Sequence, residues 1–283
     1  MRLAKVARLA NGLRARGARF VAEIDEVPPG AVVIFSAHGI ARRIVEDAKG
    51  RGFEIIDATC PLVRKVHLEG RRYARDGREI VLIGHAGHPE VEGTLGNIDG
   101  PVHVVASAAE VAAIEVADPE RIAYVTQTTL SVDDTRAVIA ALRGRFPAIQ
   151  GPDTSDICYA TQNRQRAVRE LALRADLVLV VGSANSSNSN RLREIAAEAG
   201  TPSHLLDGPD DLDPDWLEGV EVVGVTAGAS APETLVQALV ERLRRTAEIE
   251  VTTLPGVEEN VLMRLPTELE RRTPAASLQA RAG

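Results

Sequence analysis

Two cysteines occupy equivalent places in an internal repeat, and this repeat constrains the fold more than any other feature of the chain. Cys60 and Cys158 are the only cysteines among the 283 residues, and each is followed after 24 residues by a glycine, Gly84 or Gly182. Between cysteine and glycine, each copy has a helix-like stretch and then an apolar strand, EIVLI or LVLVV. Because a copied supersecondary unit presents equivalent positions in the same way, we expect the two cysteines to face a common centre.

The second half of each copy is a strand, a small polar loop and a helix. These half-units start with RIAYV and EVVGV, and a third one starts with AVVIF and leads directly into Cys60. The chain contains no counterpart of the front half of that first unit, with a cysteine of its own. We therefore expect a threefold architecture with three cysteines, in which this chain begins in the middle of the first unit.

Strand and helix patterns alternate from about residue 31 to 246, which is typical of βαβ units with parallel sheets. The predicted fold is α/β, with three small units of parallel sheets related by pseudo-threefold symmetry around a common centre. The first unit is expected to be incomplete. The predicted bounds are 1–60, 61–157 and 158–246 for the three units, and 247–283 for a strand that packs on the first unit and a disordered tail.

Composition argues against several kinds of partner. A net charge of −7 and 3% aromatic residues argue against nucleic acid, which needs a basic surface and stacking rings. The sequence has no apolar stretch long enough to span a membrane and no signal peptide, so we expect no membrane partner and a cytoplasmic location. In that compartment, two cysteines are expected to be metal ligands or a nucleophile rather than a disulfide.

A basic run follows Cys60. It is interpreted as a solvated helix face or as a surface where an acidic protein partner docks. Its members are Arg64, Lys65, Arg71, Arg72, Arg75 and Arg78.

Five polar loops stand after predicted strands and before helices, where open α/β sheets bind anions. They contain no dinucleotide-binding or Walker fingerprint. Their donor groups favour a small phosphorylated ligand, and we expect five of them to converge on one pocket: His38, His88, Ser186, Asn188 and Ser230. The donors of all the loops are His38, His85, His88, Thr128, Thr129, Ser186, Ser187, Asn188 and Ser230.

Glu90 is the candidate general acid, because a carboxyl group in an enclosed site can donate a proton near neutral pH. Glu92 is the competing candidate. The cysteines have three interpretations: small core residues, zinc ligands together with nearby histidines, or ligands of an iron–sulfur cluster. Three protein ligands would leave one iron of such a cluster open, as a Lewis-acid site requires.

Together these stretches closely resemble the 4-hydroxy-3-methylbut-2-enyl diphosphate reductase (LytB-type) family. The resemblance covers most of residues 20 to 246. The matching motifs are IFSAHG, DATCPLV, LIGHAGHPEVEGT, TQTTLSVDDT, DICYAT, NSSNSNRL and GVTAGASAP.

The resemblance implies a reductase that removes a hydroxyl group from an allylic diphosphate, giving isopentenyl and dimethylallyl diphosphates. It also implies a 4Fe–4S cluster held by three cysteines, a small-molecule allylic diphosphate as substrate, and an electron donor of the ferredoxin or flavodoxin type. In this chain Cys60 and Cys158 would bind the cluster, and the third cysteine ligand has no counterpart. Lys5 stands roughly where the family has its first diphosphate-binding histidine.

The resemblance further implies that Glu90 is the proton source and that Thr128 completes its relay to the substrate hydroxyl. The diphosphate would be held by His38, His88, Ser186, Ser187, Asn188 and Ser230. Two alternatives remain open at this point. One is a family member that binds diphosphate without a stable cluster and without catalysis, and the other is a zinc-dependent hydrolase that uses His85, His88 and a cysteine.

Overall fold

A computed structural model describes residues 13–152, 156–257, 259, 261 and 263–270. The strands are β1 (Val32–Phe35), β2 (Glu54–Asp57), β3 (Glu79–Ile83), β4 (Val102–Val105), β5 (Ile122–Thr126), β6 (Leu177–Val181), β7 (Ser203–Leu206) and β8 (Val223–Ala227). The helices are α1 (Arg42–Gly50), α2 (Pro61–Arg75), α3 (Pro89–Leu95), α4 (Val132–Arg145), α5 (Tyr159–Ala172), α6 (Ser187–Glu198), α7 (Glu233–Arg244) and α8 (Thr267–Glu270).

The strands form three small sheets, and every strand pair in them is parallel. The first sheet is β1–β2, the second has the order β4–β3–β5, and the third has the order β7–β6–β8. The central strands β3 and β6 are the most continuously apolar segments of the sequence, as expected for parallel strands covered on both faces. The prediction of an α/β fold with three parallel sheets is confirmed.

The internal repeat is preserved in the hydrogen bonds at the strand ends. The Gly84 amide donates to the Val105 carbonyl at 2.9 Å, and the Gly182 amide donates to the Leu206 carbonyl at 2.8 Å. In both copies this bond ties the end of the central strand to the neighbouring edge strand. The polar loop that follows therefore leaves the sheet from the same place in the second and third sheets.

The contacts between residues divide the chain into two compact units. The amino-terminal unit contains Val21–Thr128, Val132–Asp156 and the described residues of 260–283, and so holds the first two sheets. The carboxy-terminal unit contains Thr129–Ser131, Ile157–Glu259 and the described residues of 1–20, and so holds the third sheet. The predicted boundary at residue 60 thus lies inside one compact unit, and the separation of the first two units remains a prediction.

Each unit has its own apolar core. In the amino-terminal unit, Ile80 and Leu82 of β3 pack with Val66 and Tyr73 of α2. In the carboxy-terminal unit, β6 is covered on both faces, with Val178 and Val180 in one cluster and Leu177, Leu179 and Val181 in another. Burying one such side chain contributes about 1.5–3 kcal/mol, so these strands anchor the loops at their ends.

The prediction of a strand within residues 247–267 is wrong. Residues 247–257 are irregular, and the described residues beyond them form only the short helix α8. The predicted disordered tail, 271–283, lies outside the described residues, as does Lys5. The described part of the chain contains no helix long and apolar enough to cross a membrane.

Candidate functional site

Cys60 and Cys158 occupy the same structural position in the two copies. Each is the residue immediately before a helix, with φ −54° and ψ 134° at Cys60 of the amino-terminal unit, and φ −55° and ψ 131° at Cys158 of the carboxy-terminal unit. Both thiols are free and partly buried, and neither side chain caps its helix. The two sulfur atoms are therefore free to bind a metal group.

A buried carboxyl group lies at the start of α3. Glu90 is 2% exposed, and its Oε1 accepts a 2.6 Å hydrogen bond from the Thr128 amide. The Thr128 hydroxyl lies 3.1 Å from Glu90 Oε2. Burial raises the pKa of Glu90 to about 7, although both contacts with Thr128 favour the charged form. Glu90 thus keeps its proton close to neutral pH, as general acid catalysis requires.

Two histidines of the amino-terminal unit lie beside this carboxyl group. The rings of His38 and His88 are 5.7 Å apart in an edge-to-face arrangement. His88 Nδ1 accepts a 3.2 Å hydrogen bond from the Glu90 amide and so caps α3. Burial lowers the pKa of His88 to about 4, helped by the charges of His38 and His85. The neutral ring therefore carries its proton on Nε2, which is available to donate to a ligand.

His38 lies in the loop that follows β1, and this loop packs closely on α2. Its side chain remains in contact with solvent, but the surrounding atoms partly desolvate the ring and lower its pKa. The next residue, Gly39, has φ +79°, and a Cβ there would lie 2.6 Å from the His67 ring. Glycine is thus required by both the backbone and the close approach of α2, which fixes the loop that carries His38.

In the carboxy-terminal unit, the loop after β6 is rich in hydroxyl groups. Ser186 caps α6 and accepts a 3.2 Å hydrogen bond from the Ser189 amide. The Thr129 hydroxyl donates to Ser187 Oγ at 3.3 Å. Asn188 is 5% exposed, and neither amide atom of its side chain has a hydrogen-bond partner among the described residues. Both atoms of this buried amide are therefore available for a hydrogen bond to a ligand.

The repeat relates the two groups of residues. His88 and Ser186 both lie 28 residues after their cysteine and both cap the following helix, while Glu90 and Asn188 both lie 30 residues after it. Ser230 stands in the exposed turn between β8 and α7. The structure thus groups His38, His88, Glu90 and Thr128 in one unit, and Ser186, Ser187, Asn188 and Ser230 in the other.

An ion pair between a buried carboxylate and a partly exposed lysine was not predicted from the sequence. The Asp156 side chain is fully buried, and its Oδ1 accepts a 3.0 Å hydrogen bond from Lys65 Nζ. Burial raises the pKa of Asp156, and its charge in turn raises the pKa of Glu90. The sequence repeat did not mark Asp156 as a special position, because Ala58 occupies the equivalent position before Cys60.

Comparison with known proteins assigns the chain to a family. The family model described as LytB protein matches residues 5–244. The chain belongs to the LytB family. It is 60% identical over 261 residues to the 4-hydroxy-3-methylbut-2-enyl diphosphate reductase of Zymomonas mobilis, covering 92% of this chain and 77% of that enzyme. It is 57% identical over 265 residues to the enzyme of the same name from Pseudomonas aeruginosa, covering 92% and 84%.

Two solved structures have the same fold. The Plasmodium falciparum enzyme described as E-1-hydroxy-2-methyl-but-2-enyl-4-diphosphate reductase has a TM-score of 0.88 and 35% identity, over 97% of this chain and 86% of that one. A structure described as the terminal enzyme of the non-mevalonate pathway has a TM-score of 0.58 and 31% identity, over 84% of both chains. The family assignment and the predicted fold class are confirmed.

LytB proteins are iron–sulfur enzymes, and the donor set of this chain fits that cofactor. Thiolates are the usual ligands of such clusters, and both thiols stand at the positive end of a helix, which favours negative charge. Within the part of the chain that the structure describes, no three His, Cys, Asp or Glu side chains are grouped to hold a metal ion.

Proposed function

We propose that this protein reduces (E)-4-hydroxy-3-methylbut-2-enyl diphosphate to isopentenyl and dimethylallyl diphosphates, the last step of the non-mevalonate isoprenoid pathway. Membership of the LytB family and the names of its relatives support this enzyme over a non-catalytic diphosphate-binding protein. The structural observation that supports the proposal most directly is the burial of Glu90, which raises the pKa of this acid to about 7. A cytoplasmic location remains a prediction.

The reaction consumes two electrons and two protons. The allylic C–O bond breaks, the hydroxyl group leaves as water, and a C–H bond forms. When bound, a cluster proposed to be of the 4Fe–4S type would supply the electrons one at a time. Cys60 and Cys158 are its proposed ligands from this chain, which contains two cysteines. A ferredoxin or flavodoxin is the proposed type of electron donor.

Glu90 and Thr128 form the proposed proton path to the leaving hydroxyl group. When Glu90 is protonated on Oε2, it can donate to Thr128 Oγ1 across 3.1 Å, while its Oε1 continues to accept from the Thr128 amide. The Thr128 hydroxyl can then pass its own proton to the substrate oxygen. Protonation turns a poor leaving group into water, and this is the chemical task that the pair performs.

Neutral imidazoles and hydroxyl groups are proposed to hold the diphosphate. His88 offers its Nε2 proton, and the unpartnered amide of Asn188 offers two more donors. The loops that carry them stand at helix N-termini, where backbone amides and the helix dipole favour phosphate oxygens. The proposed diphosphate-binding residues are His38, His88, Ser186, Ser187, Asn188 and Ser230.

Anaerobic turnover with a small-molecule reductant tests the proposal. Protein carrying iron and sulfide is incubated with the substrate and dithionite-reduced methyl viologen, and the products are identified by NMR. We expect both five-carbon diphosphates. Binding of the substrate without formation of either product would refute the proposed reaction.

A further inference from the structure

An open groove of about 840 Å³ runs along α2 in the amino-terminal unit. One wall starts at Cys60 and continues along the helix through Leu68 to Arg75, and the segment from Met263 to Glu268 forms the other wall. A protein seated in this groove would contact the helix whose N-terminal cysteine is the proposed cluster ligand. The groove therefore extends along α2 as far as that cysteine.

The groove carries an excess of positive charge, because five basic side chains line it against the three carboxylates of Asp57, Glu69 and Glu268. Arg64 is paired with Asp57 at 2.8 Å, and Lys65 with the buried Asp156 at 3.0 Å. Three further arginines that line it, Arg72, Arg75 and Arg264, are exposed and form no ion pair within 4 Å among the described residues. The chain as a whole has a net charge of −7, so this surface opposes the overall charge. An acidic partner would be repelled elsewhere and attracted here.

Exposed apolar side chains lie between these charges. Leu68 is 53% exposed in the middle of α2, and Met263 and Leu265 on the opposite wall are 44% and 42% exposed. An apolar centre with a charged rim is the usual composition of a protein-binding surface. A small anion would use the arginines but would leave these three side chains uncovered.

The internal repeat provides a built-in comparison. Helix α5 follows Cys158 as α2 follows Cys60, yet its equivalent positions carry Gln162, Asn163, Glu170 and Leu173 in place of Arg64, Lys65, Arg72 and Arg75. The corresponding helix thus forms without basic side chains at these four positions. The charge on α2 therefore has a purpose other than forming the helix.

We propose that the groove along α2 is the docking surface for an acidic protein that carries one electron at a time, and that electrons enter through the Cys60 side. This inference rests on the proposed function. Two successive carriers each lose one electron, and the two electrons, with two protons, convert the allylic alcohol into the C–H product and water. Arg72, Arg75 and Arg264 bind acidic side chains of the carrier, and Leu68 contacts its apolar centre.

Binding is tested directly with the oxidised protein, so that turnover does not interfere. The probe is a purified plant-type ferredoxin, an acidic one-electron carrier, and its Kd is measured by calorimetry at low and at moderate salt. Reversing two charges with Arg72→Glu and Arg75→Glu should weaken binding about tenfold or more at low salt, and less at moderate salt. The matched control, Arg166→Glu with Arg245→Glu, makes the same charge change in the carboxy-terminal unit and should alter Kd by less than about twofold.

A kinetic assay separates this inference from the proposed function. With reduced methyl viologen as donor, the wild type and the Arg72→Glu, Arg75→Glu variant should turn over equally, whereas with reduced ferredoxin the variant should lose about tenfold in rate. Equal ferredoxin binding and equal ferredoxin-driven rates in both proteins would refute the docking surface while leaving the reaction intact. Equal losses with both donors would also refute it. The milder pair Arg72→Gln and Arg75→Gln repeats the test if the charge reversal lowers the melting temperature.

Discussion

At the scale of single residues, the account depends on the proton of Glu90. Replacing Glu90 with Gln keeps the shape of the side chain but removes the proton. Turnover should therefore fall by about 10²- to 10⁴-fold, with substrate affinity and iron content unchanged. Glu92→Gln is the control, because Glu92 is exposed on the same helix and should tolerate the change. A normal rate for Glu90→Gln, or an equal loss for Glu92→Gln, would remove Glu90 from the mechanism.

The raised pKa of Glu90 also predicts how stability depends on pH. The unfolded chain releases this proton near pH 4.5 and the folded protein near 7, so the folded state binds more protons between these values. Stability should therefore fall as the pH rises through that window. Glu90→Gln abolishes the titration, and its stability relative to the wild type should rise by on the order of 3 kcal/mol from about pH 5 to pH 8. Urea unfolding at several pH values measures this, and a constant difference would show that Glu90 has an ordinary pKa.

Thr128 should act through Glu90. Its hydroxyl lies 3.1 Å from Oε2 and favours the charged carboxylate, so Thr128→Val should raise the pKa of Glu90 further. The rate should fall by about tenfold, and the alkaline limb of the pH–rate profile should move to higher pH. Thr128→Ser keeps the hydroxyl and should restore both properties. A slower rate with an unmoved pH profile would leave Thr128 with a packing role only.

At the scale of elements, glycines at the strand ends allow the functional helices to approach. A Cβ added at Gly182, after β6, would lie 2.2 Å from Ser189 Oγ and 2.6 Å from its Cβ. Helix α6 would have to move, so Gly182→Ala should destabilise the protein by about 1–3 kcal/mol in urea unfolding. Gly144→Ala in α4 is the control, because a Cβ there meets nothing within 4 Å. Equal stability of the two variants would show that α6 is not held in this position.

The sequence predicted the strongest elements and missed the weaker ones. The central strands β3 and β6 were evident because they are continuous apolar runs bounded by glycine. The edge strands β4 and β7 were missed because histidine interrupts the apolar pattern in VHVV and SHLL. The false strand within residues 247–267 shows the converse error, since the alternating residues EIEV have no neighbouring strand to pair with in the described structure.

At the scale of the whole molecule, the repeat predicted three parallel sheets, and the comparisons with known proteins confirm the fold class. The equivalent placement of Cys60 and Cys158 before their helices was predicted because the repeat marks it, and the roles of these residues and of Glu90 stay predictions. Asp156 was not predicted, because its burial and its contact with Lys65 arise from tertiary packing. The pattern of the repeat contains no sign of that packing.

Product analysis under anaerobic conditions tests the central claim most directly. The protein carrying iron and sulfide is given the allylic diphosphate and reduced methyl viologen, beside Glu90→Gln and Glu92→Gln. The account predicts isopentenyl and dimethylallyl diphosphates from the wild type and from Glu92→Gln, and almost none from Glu90→Gln. It is contradicted if the wild-type protein binds no iron, or if it carries iron and binds the substrate yet forms neither product.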